Sequence, residues 1–184
     1  MSAGLPKLSN RLSGRVFTMS DSPARLFRGL FESHLHVADL ERAMAFYGDV
    51  LGLQPGFTDM ERRAALYWVG ADKKSMLGVW EKPPWAQGKS ATLPTPQHIA
   101  FQISLEDLTT AIQRVKQRGL QLTNFFGAVT DEPSVFAWMP AASIYFNDPD
   151  GHSLELIALL AEEPAPEIGV VSLTEWNTLQ SSRP

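Results

Sequence analysis

Residues 146–155 read Phe-Asn-Asp-Pro-Asp-Gly-His-Ser-Leu-Glu, and this stretch predicts a tight turn that leads into a strand. Pro149 and Gly151 stand where tight turns favour Pro and Gly, which indicates a hairpin between two strands. Glu155 then lies between two leucines in an apolar run. An ionised carboxylate in such a strand needs a strong partner, because burying an unpaired charge is costly. Glu155 is therefore the first candidate for a functional residue.

Outward from this hairpin, the same order of elements occurs twice along the chain. The first copy is a strand over residues 29–37, a helix over 39–51, and strand-like runs at 53–58, 64–70 and 75–81. The second copy is a strand over 97–103, a helix from 104 to 119, and strand-like runs at 121–127, 142–147 and 153–160. Apolar residues recur at helical spacing in the helices and at alternating positions in the strands. The pattern predicts an α+β fold of two βαβββ modules in one chain.

These runs also divide the chain. We predict one domain over residues 28–161, with module one at 28–82 and module two at 96–161. Residues 1–27 are rich in Ser, Arg, Gly and Pro and are interpreted as a flexible arm. Residues 162–184 form a tail, and its apolar residues, which are Val170, Val171 and Trp176, indicate that it docks on another surface.

Composition excludes several classes of protein. A formal charge of -4 and a pI near 5.5 leave no basic surface for nucleic acid. The chain has no cysteine, so any metal must be held by nitrogen or oxygen, and a cytoplasmic location is the simpler interpretation. No apolar run approaches the roughly 18 residues that a membrane span requires, so we expect no membrane partner.

The first strands of the two modules place polar side chains on one face. Strand alternation puts the apolar pairs Leu35/Phe101 and Val37/Ile103 on the side of the helices. The side chains on the opposite face are Glu32, His34 and His36 in the first strand, and His98, Ala100 and Gln102 in the second. An unpaired imidazole at the start of an apolar strand would be costly, so His98 is a second candidate for a functional residue.

Two motifs resemble those of a known superfamily. The first module carries Glu32-x-x-Leu35-x-Val37-x-Asp39-Leu40 and then Ala45-Phe46-Tyr47-x-x-Val50-Leu51-Gly52. The second ends in Phe146-Asn147-Asp148-Pro149-Asp150-Gly151-His152-x-x-Glu155. Both are similar to the signatures of the glyoxalase/bleomycin-resistance/dioxygenase superfamily, also called vicinal oxygen chelate proteins, over about residues 29–160. The resemblance implies a curved mixed sheet that forms a cup, with helices outside, and a homodimer.

The resemblance also implies a metal site. Carried over position by position, the metal ligands are Glu32, His98 and Glu155, although Glu32 stands where the family usually has His or Gln. One imidazole and two carboxylates suit Mn, Ni, Zn, Mg or Fe, and the sequence does not choose among these divalent ions. Glyoxalase I uses a second acid in module one, and aligning Ser75 with Ser153 places Leu77 there. Glu81 shares the alternation phase of Leu77 but lies roughly 13 Å along the strand.

Several residues keep more than one interpretation. Glu32 is either a ligand or an ion-pair partner of Arg62 or Arg63. His34 is a substitute ligand, a pocket base or a core residue, and is our candidate for proton transfer. His36 lies either at the mouth of the cup or on the surface, and His152 is structural or exposed. Trp80 and Phe101, with His34 and His36, are the predicted lining of the substrate pocket.

The leading functional hypothesis is a metal-dependent lyase- or isomerase-like enzyme of glyoxalase type, similar to lactoylglutathione lyase. It acts on a small oxygen-rich substrate that is chelated to the ion, with His34 and Glu155 in catalytic roles. One alternative is a ring-cleaving dioxygenase, which requires Fe(II) held by two His and one carboxylate. Another is a metal-free protein that binds a drug or metabolite, as bleomycin-resistance proteins do.

Overall fold

The structure is a computed structural model that describes residues 28–86 and 94–182. The predicted flexible arm, residues 1–27, lies outside the described residues. Two βαβββ modules follow one another, so the predicted α+β fold is confirmed. The strands hydrogen-bond as two mixed sheets, of four and five strands. No helix in the described ranges is both long and apolar enough to cross a membrane.

Module one begins with strand β1, Glu32–His36, and helix α1, Leu40–Met44, which a π-helical turn over Ala45–Val50 continues. Strands β2, Gln54–Asp59, β3, Ala64–Val69, and β4, Ser75–Trp80, complete the sheet in the order β1-β4-β3-β2. β1 pairs with β4 in parallel, and the other pairs are antiparallel. β1 is therefore an edge strand, with its partner β4 at the centre of the sheet.

Local sequence explains where α1 begins and where its continuation ends. The Asp39 carboxylate accepts a hydrogen bond of 2.8 Å from the backbone N–H of Arg42, which caps the helix as the sequence predicts. The π-helical turn ends as the N–H of Leu51 donates to the carbonyl of Phe46. Gly52 follows with φ of 75°, a left-handed conformation that favours glycine.

Module two repeats this plan. Strand β5, His98–Gln102, leads into helix α2, Leu105–Gln117, and then strands β6, Ser134–Phe136, β7, Ala141–Asn147, and β8, Ser153–Leu159. With a further strand β9, Val170–Ser172, the sheet order is β5-β8-β7-β6-β9. β5 pairs with β8 in parallel, so it is also an edge strand.

The strand predicted over residues 121–127 is wrong. Only Thr123 forms isolated bridges there, to Val129 and Tyr145. The side-chain oxygen of Asn124 accepts hydrogen bonds of 3.0 Å from the N–H groups of Phe126 and Ala128, which turns the chain. The second strand of the module is β6 instead.

The C-terminal tail completes the second sheet. Helix α3, Leu173–Ser181, follows β9, and β9 pairs antiparallel with β6. Trp176 is fully buried. The prediction that this tail docks is therefore confirmed, and its indole belongs to the hydrophobic core.

Each sheet buries one face against its helix. Leu35, Val37, Leu77 and Val79 are buried in the core of module one with Leu40 of α1. Leu108, Ile112 and Val115 of α2 join the same core. The opposite face of each sheet, here called the site face, carries the polar residues of β1 and β5 by strand alternation.

The hairpin turn between β7 and β8 fastens the two modules together. Asp148 accepts a hydrogen bond of 2.8 Å from the hydroxyl of Tyr47, and burial together with this carboxylate raises the pKa of Tyr47. Asp150 accepts one of 2.6 Å from Arg42. The buried His152 ring lies 2.8 Å from the carbonyl of His36 through Nε2, and its Nδ1 accepts the N–H of Gln97 at 3.0 Å. Of the two alternatives for His152, the structural role is confirmed.

Candidate metal centre

The site face of module two brings together two of the predicted ligands. β5 and β8 run parallel, with His98 opposite Ser153 and Ala100 opposite Glu155. The Nε2 atom of His98 lies 3.0 Å from Oε2 of Glu155. The Glu155 carboxylate is almost entirely buried, whereas half of the His98 side chain is exposed.

The backbone contact of His98 favours a proton on its Nδ1 atom. Its Nδ1 lies 3.1 Å from the carbonyl oxygen of Ser153, which can only accept. In a neutral imidazole Nδ1 is then the donor, and Nε2 presents a lone pair to Glu155. Two acceptors 3.0 Å apart repel each other unless a cation or an additional proton lies at the pair.

The distance fits a shared metal ion. Bonds of about 2.1 Å from one ion to two adjacent ligands place the donor atoms roughly 3 Å apart. A backbone carbonyl that orients the other ring nitrogen is also the usual support of a metal-bound His. His98 and Glu155 therefore fit the predicted role of metal ligands in donor type, distance and orientation.

Two further residues surround Glu155 that sequence reasoning missed. Ser143 of β7 is fully buried and donates a short hydrogen bond to Oε1 of Glu155. Tyr145 lies opposite Glu155 in the β7–β8 register, and its ring centroid is 6.0 Å from that of His98. Burial, followed by the charge of Glu155, raises the pKa of Tyr145, so its hydroxyl remains protonated. Because Ser143 and Tyr145 are two positions apart in β7, strand alternation places them on the same face. The sequence could have assigned both to the site face if the register of β7 with β8 had been known.

In module one, Glu32 contacts His34 rather than an arginine. Oε1 of Glu32 lies 3.4 Å from Nε2 of His34, and 46% of the Glu32 side chain is exposed. Nε1 of Trp80 donates a hydrogen bond of 3.0 Å to Nδ1 of the same His34 ring. Trp85 packs against this ring with a centroid distance of 5.5 Å. Trp80 therefore lies beside His34, as expected for the predicted pocket.

The arginines proposed as partners of Glu32 are used elsewhere. Arg63 binds Glu41 at 2.6 Å and Glu81 at 2.5 Å, and Arg62 contacts Asp59. Glu81 also accepts a hydrogen bond from the backbone N–H of Leu40. Glu81 thus holds the start of α1 and does not reach the site face.

The alignment of Leu77 with Glu155 is wrong by one residue. Glu32 pairs with Met76 and His98 with Ser153, so the two parallel pairs superpose Gly78, not Leu77, on Glu155. Leu77 is buried in the core on the helix side. Because alternate residues point to opposite faces, an alignment that is wrong by one residue assigns each side chain of β4 to the wrong face of the sheet. Neither Leu77 nor Gly78 can supply an acid at this position.

Glu32 does not join His98 and Glu155 within one chain. Among residues 28–86 and 94–182, no group of three or more His, Cys, Asp or Glu side chains converges in an arrangement that could hold a metal. The structure therefore presents two half-sites, a His–Glu pair in each module. Of the three predicted ligands, only His98 and Glu155 of module two lie together.

Two predicted pocket residues differ in their surroundings. The His36 side chain is half-buried, and its backbone carbonyl contacts His152. Phe101 packs against the hydrophobic core, as Ile99 does. Phe101 therefore does not share the site face with His98, and its place in the predicted pocket lining is corrected.

Comparison with known proteins agrees with this architecture. Residues 30–156 match the family model of the Glyoxalase/Bleomycin resistance protein/Dioxygenase superfamily. The chain belongs to this superfamily. The match spans both half-sites, from Glu32 to Glu155, so all three predicted ligands lie within the glyoxalase-superfamily region.

Individual superfamily members have different activities. A lactoylglutathione lyase of Salmonella typhimurium is 30% identical over 131 residues, which cover 70% of this chain and 90% of that protein. The fosfomycin resistance protein FosX of Listeria innocua is 28% identical over 140 residues, covering 75% and 95%. An integron cassette protein from the Halifax Harbour sewage outfall metagenome superposes with a TM-score of 0.58 at 30% identity, covering 72% and 100%. The relatives support an enzyme-like role in a coarse sense.

A cavity of about 340 Å³ adjoins the first half-site of this superfamily member. Its lining residues are Glu61, Arg62, Trp80, Lys82 and Pro84. Trp80 is shared between this cavity and the hydrogen bond to His34. An indole, a proline and two cations beside one carboxylate suit a small ligand with an apolar part and a negatively charged or oxygen-rich part.

Proposed function

We propose that the chain is a metal-dependent enzyme of the glyoxalase type, lyase- or isomerase-like. Its substrate in this proposal is a small molecule with neighbouring oxygen atoms, and its finer likeness is to lactoylglutathione lyase. The observation that carries the proposal is the facing pair of His98 Nε2 and Glu155 Oε2 at 3.0 Å, where neither atom supplies a proton when the imidazole is neutral. A cation between the two atoms would stabilise such a pair, which supports the proposal.

His98, Glu155 and Glu32 would hold a divalent ion. One imidazole and two carboxylates are compatible with Mn, Ni, Zn, Mg or Fe. The bound ion would supply Lewis acidity, which stabilises negative charge on substrate oxygens. Ser143 holds one oxygen of Glu155 and leaves the other directed at His98.

The proposal includes a homodimer in which Glu32 comes from a second copy. Glu32 stays with His34 in its own chain, apart from His98 and Glu155. β1 and β5, which carry Glu32 and His98, are both edge strands. Edge strands leave backbone groups unpaired and are common places for association, and a two-fold dimer would use both edges twice.

The residues of module one determine which side chain can accept a proton from a substrate. Gly78 stands where module two has Glu155, so no acid is present at that position. The lone pair on Nδ1 of His34 accepts a hydrogen bond from Trp80 and is therefore not directed at a substrate. Glu32, nearly half exposed on the site face, is then the group of this half-site that can accept a proton from a substrate.

The two alternative functions, a ring-cleaving dioxygenase and a metal-free binding protein, make different predictions about which residues bind a metal. A ring-cleaving dioxygenase needs two His ligands, and the hydrogen bond from Trp80 leaves His34 poorly suited to be the second. A metal-free binding protein would use the His98–Glu155 pair only as a contact between β5 and β8.

Metal binding tests the proposal directly. Co²⁺ titrated into the purified protein gives visible absorption that reports coordination, and calorimetry gives the affinity. We expect wild type to bind Co²⁺ and His98→Ala and Glu155→Gln to lose at least tenfold in affinity. Gln102→Ala, on the same site face of β5, is the control and should bind as wild type does. Absence of binding in wild type would favour the metal-free alternative.

A further inference from the structure

The two half-sites are related by the register of their parallel strand pairs. When Glu32 is superposed on His98, His34 falls on Ala100 and Gly78 falls on Glu155. Module two thus has a small residue on its first strand and a large acid on its last. Module one has the reverse, a large imidazole on β1 and a glycine on β4.

The His34 ring fills the space that a side chain at position 78 would need. A Cβ atom built on Gly78 would overlap Nδ1 of His34 and lie 2.9 Å from its Cε1. In module two, Ala100 leaves the equivalent space to Glu155. The glycine is therefore required for the imidazole to lie flat against β4.

The ring is held from both sides and in one tautomer. Trp80 donates to Nδ1 at 3.0 Å, so a neutral His34 carries its proton on Nε2. Nε2 lies 3.4 Å from Oε1 of Glu32. The indole of Trp80 meets the imidazole edge to face at a centroid distance of 5.9 Å, and Trp85 packs at 5.5 Å.

We propose that Trp80 and His34 are positioning residues that orient the Glu32 carboxylate for the metal ion. The series runs from the indole N–H, which donates to Nδ1 of the imidazole, to Nε2 on the other side of the ring, which lies 3.4 Å from the carboxylate. His34 is not itself a ligand, because its Nε2 carries the proton and its Nδ1 is occupied. This inference rests on the proposed function, since Glu32 is a ligand only if the metal site exists.

Paired substitutions separate positioning from ligation. His34→Gln keeps an N–H donor but no imidazole, and His34→Leu removes both. We expect His34→Leu to weaken Co²⁺ binding by about 10- to 100-fold, the usual effect of losing a residue that orients a ligand. His34→Gln should restore most of that loss, and Trp80→Phe should give an intermediate loss. Trp85→Phe is the matched control, because it keeps an aromatic ring and removes no hydrogen bond to His34 seen here.

The opposite pattern overturns the inference. If His34 is a ligand, His34→Gln will lose as much affinity as His34→Leu, and Trp80→Phe will not weaken binding. If Glu155→Gln abolishes binding while all His34 variants bind as wild type does, the inference fails and the proposed function stands. Failure of wild type to bind Co²⁺ rejects both.

A second measurement does not depend on metal. A long-range ¹H–¹⁵N spectrum of the metal-free protein distinguishes the two neutral tautomers of histidine. We expect His34 as the Nε2–H tautomer in wild type and a mixture in Trp80→Phe. A wild-type His34 with its proton on Nδ1 would contradict the hydrogen bond that Trp80 donates to this atom.

Discussion

Nε2 of His98 lies 3.0 Å from Oε2 of Glu155, with the opposite ring nitrogen directed at the carbonyl of Ser153. The two residues are 57 positions apart in sequence, and they meet because β5 and β8 are parallel neighbours. Glu32, the third predicted ligand, is in contact with His34 in the other module. Whether a second copy completes the site is open to a direct test.

Mixing two inactive variants tests the shared site. Glu32→Gln and Glu155→Gln each damage every site of their own dimers. After subunit exchange, half of the dimers are mixed, and each mixed dimer has one intact site if Glu32 acts across copies. We expect the mixture to recover about a quarter of the wild-type Co²⁺ sites.

A mixture of His98→Ala with Glu155→Gln is the control for this experiment. Both residues belong to the same half-site of the same chain, so no mixed dimer has an intact site. If this control recovers Co²⁺ sites, the site is not shared between two copies in the proposed way. The same conclusion follows if the first mixture recovers none.

The hydrogen bond from Ser143 leads to a second prediction. Ser143→Ala removes the donor to Oε1 of the buried Glu155, and the carboxylate loses its fixed orientation. We expect Co²⁺ affinity to fall by about 10- to 100-fold. Ser134→Ala, a buried serine whose hydroxyl accepts from Phe125, should leave the affinity unchanged. If Ser143→Ala binds Co²⁺ as tightly as Ser134→Ala and wild type do, Ser143 has no part in metal binding.

The fold was largely predictable, because it depends on local patterns. Asp39 caps α1, and the hairpin turn before Glu155 lies where its Pro and Gly indicate. Alternation correctly separated Leu35 from His34 across the first strand. The strand over 121–127 failed because the side chain of Asn124 forms a turn, which outweighs the β propensity of its neighbours.

The candidate site was less predictable, since it depends on register and on contacts between distant segments. Gly78 could not be told from Leu77 without the pairing of β1 with β4. Ser143 and Tyr145 lie in a strand that the sequence predicted, but nothing in the sequence states which residue faces Glu155. The separation of Glu32 from His98 is a property of the whole fold.

The buried ring of His152 supports a prediction about stability. His152→Leu breaks the contact to the carbonyl of His36, which joins the two modules, and the contact to the N–H of Gln97 within module two. Two backbone groups left without partners lower the free energy of unfolding by about 2 to 5 kcal/mol. Urea denaturation measures this loss, and Asn147→Ala, exposed on the same hairpin, should have little effect. A loss below about 0.5 kcal/mol would contradict the bridging role.

The ion pairs of Arg63 predict a dependence of stability on pH. The hydrogen bond from Arg63 lowers the pKa of Glu41 from 4.5 to about 2, and it also lowers the pKa of Glu81. A folded-state pKa below the unfolded value gives stability that is present above pH 4.5 and is lost as the pH falls to about 2. Arg63→Met should therefore be less stable than wild type at pH 7, with the difference narrowing over that range.

Urea denaturation between pH 2 and pH 7 provides the measurement for Arg63. Arg62→Met is the matched control, because Arg62 is 76% exposed and lies 3.6 Å from Asp59. A difference between Arg63→Met and wild type that stays constant over the whole range would rule out this linkage.

The turn over residues 148–152 places a limit on how this chain can change in length. Asp148, Asp150 and His152 contact Tyr47, Arg42 and the His36 carbonyl in the other module, while Glu155 lies only three residues beyond. Inserting or deleting one residue in this hairpin would shift either the docking contacts or the carboxylate. Loop grafts and domain fusions should therefore be made elsewhere, and this hairpin treated as a part of fixed size.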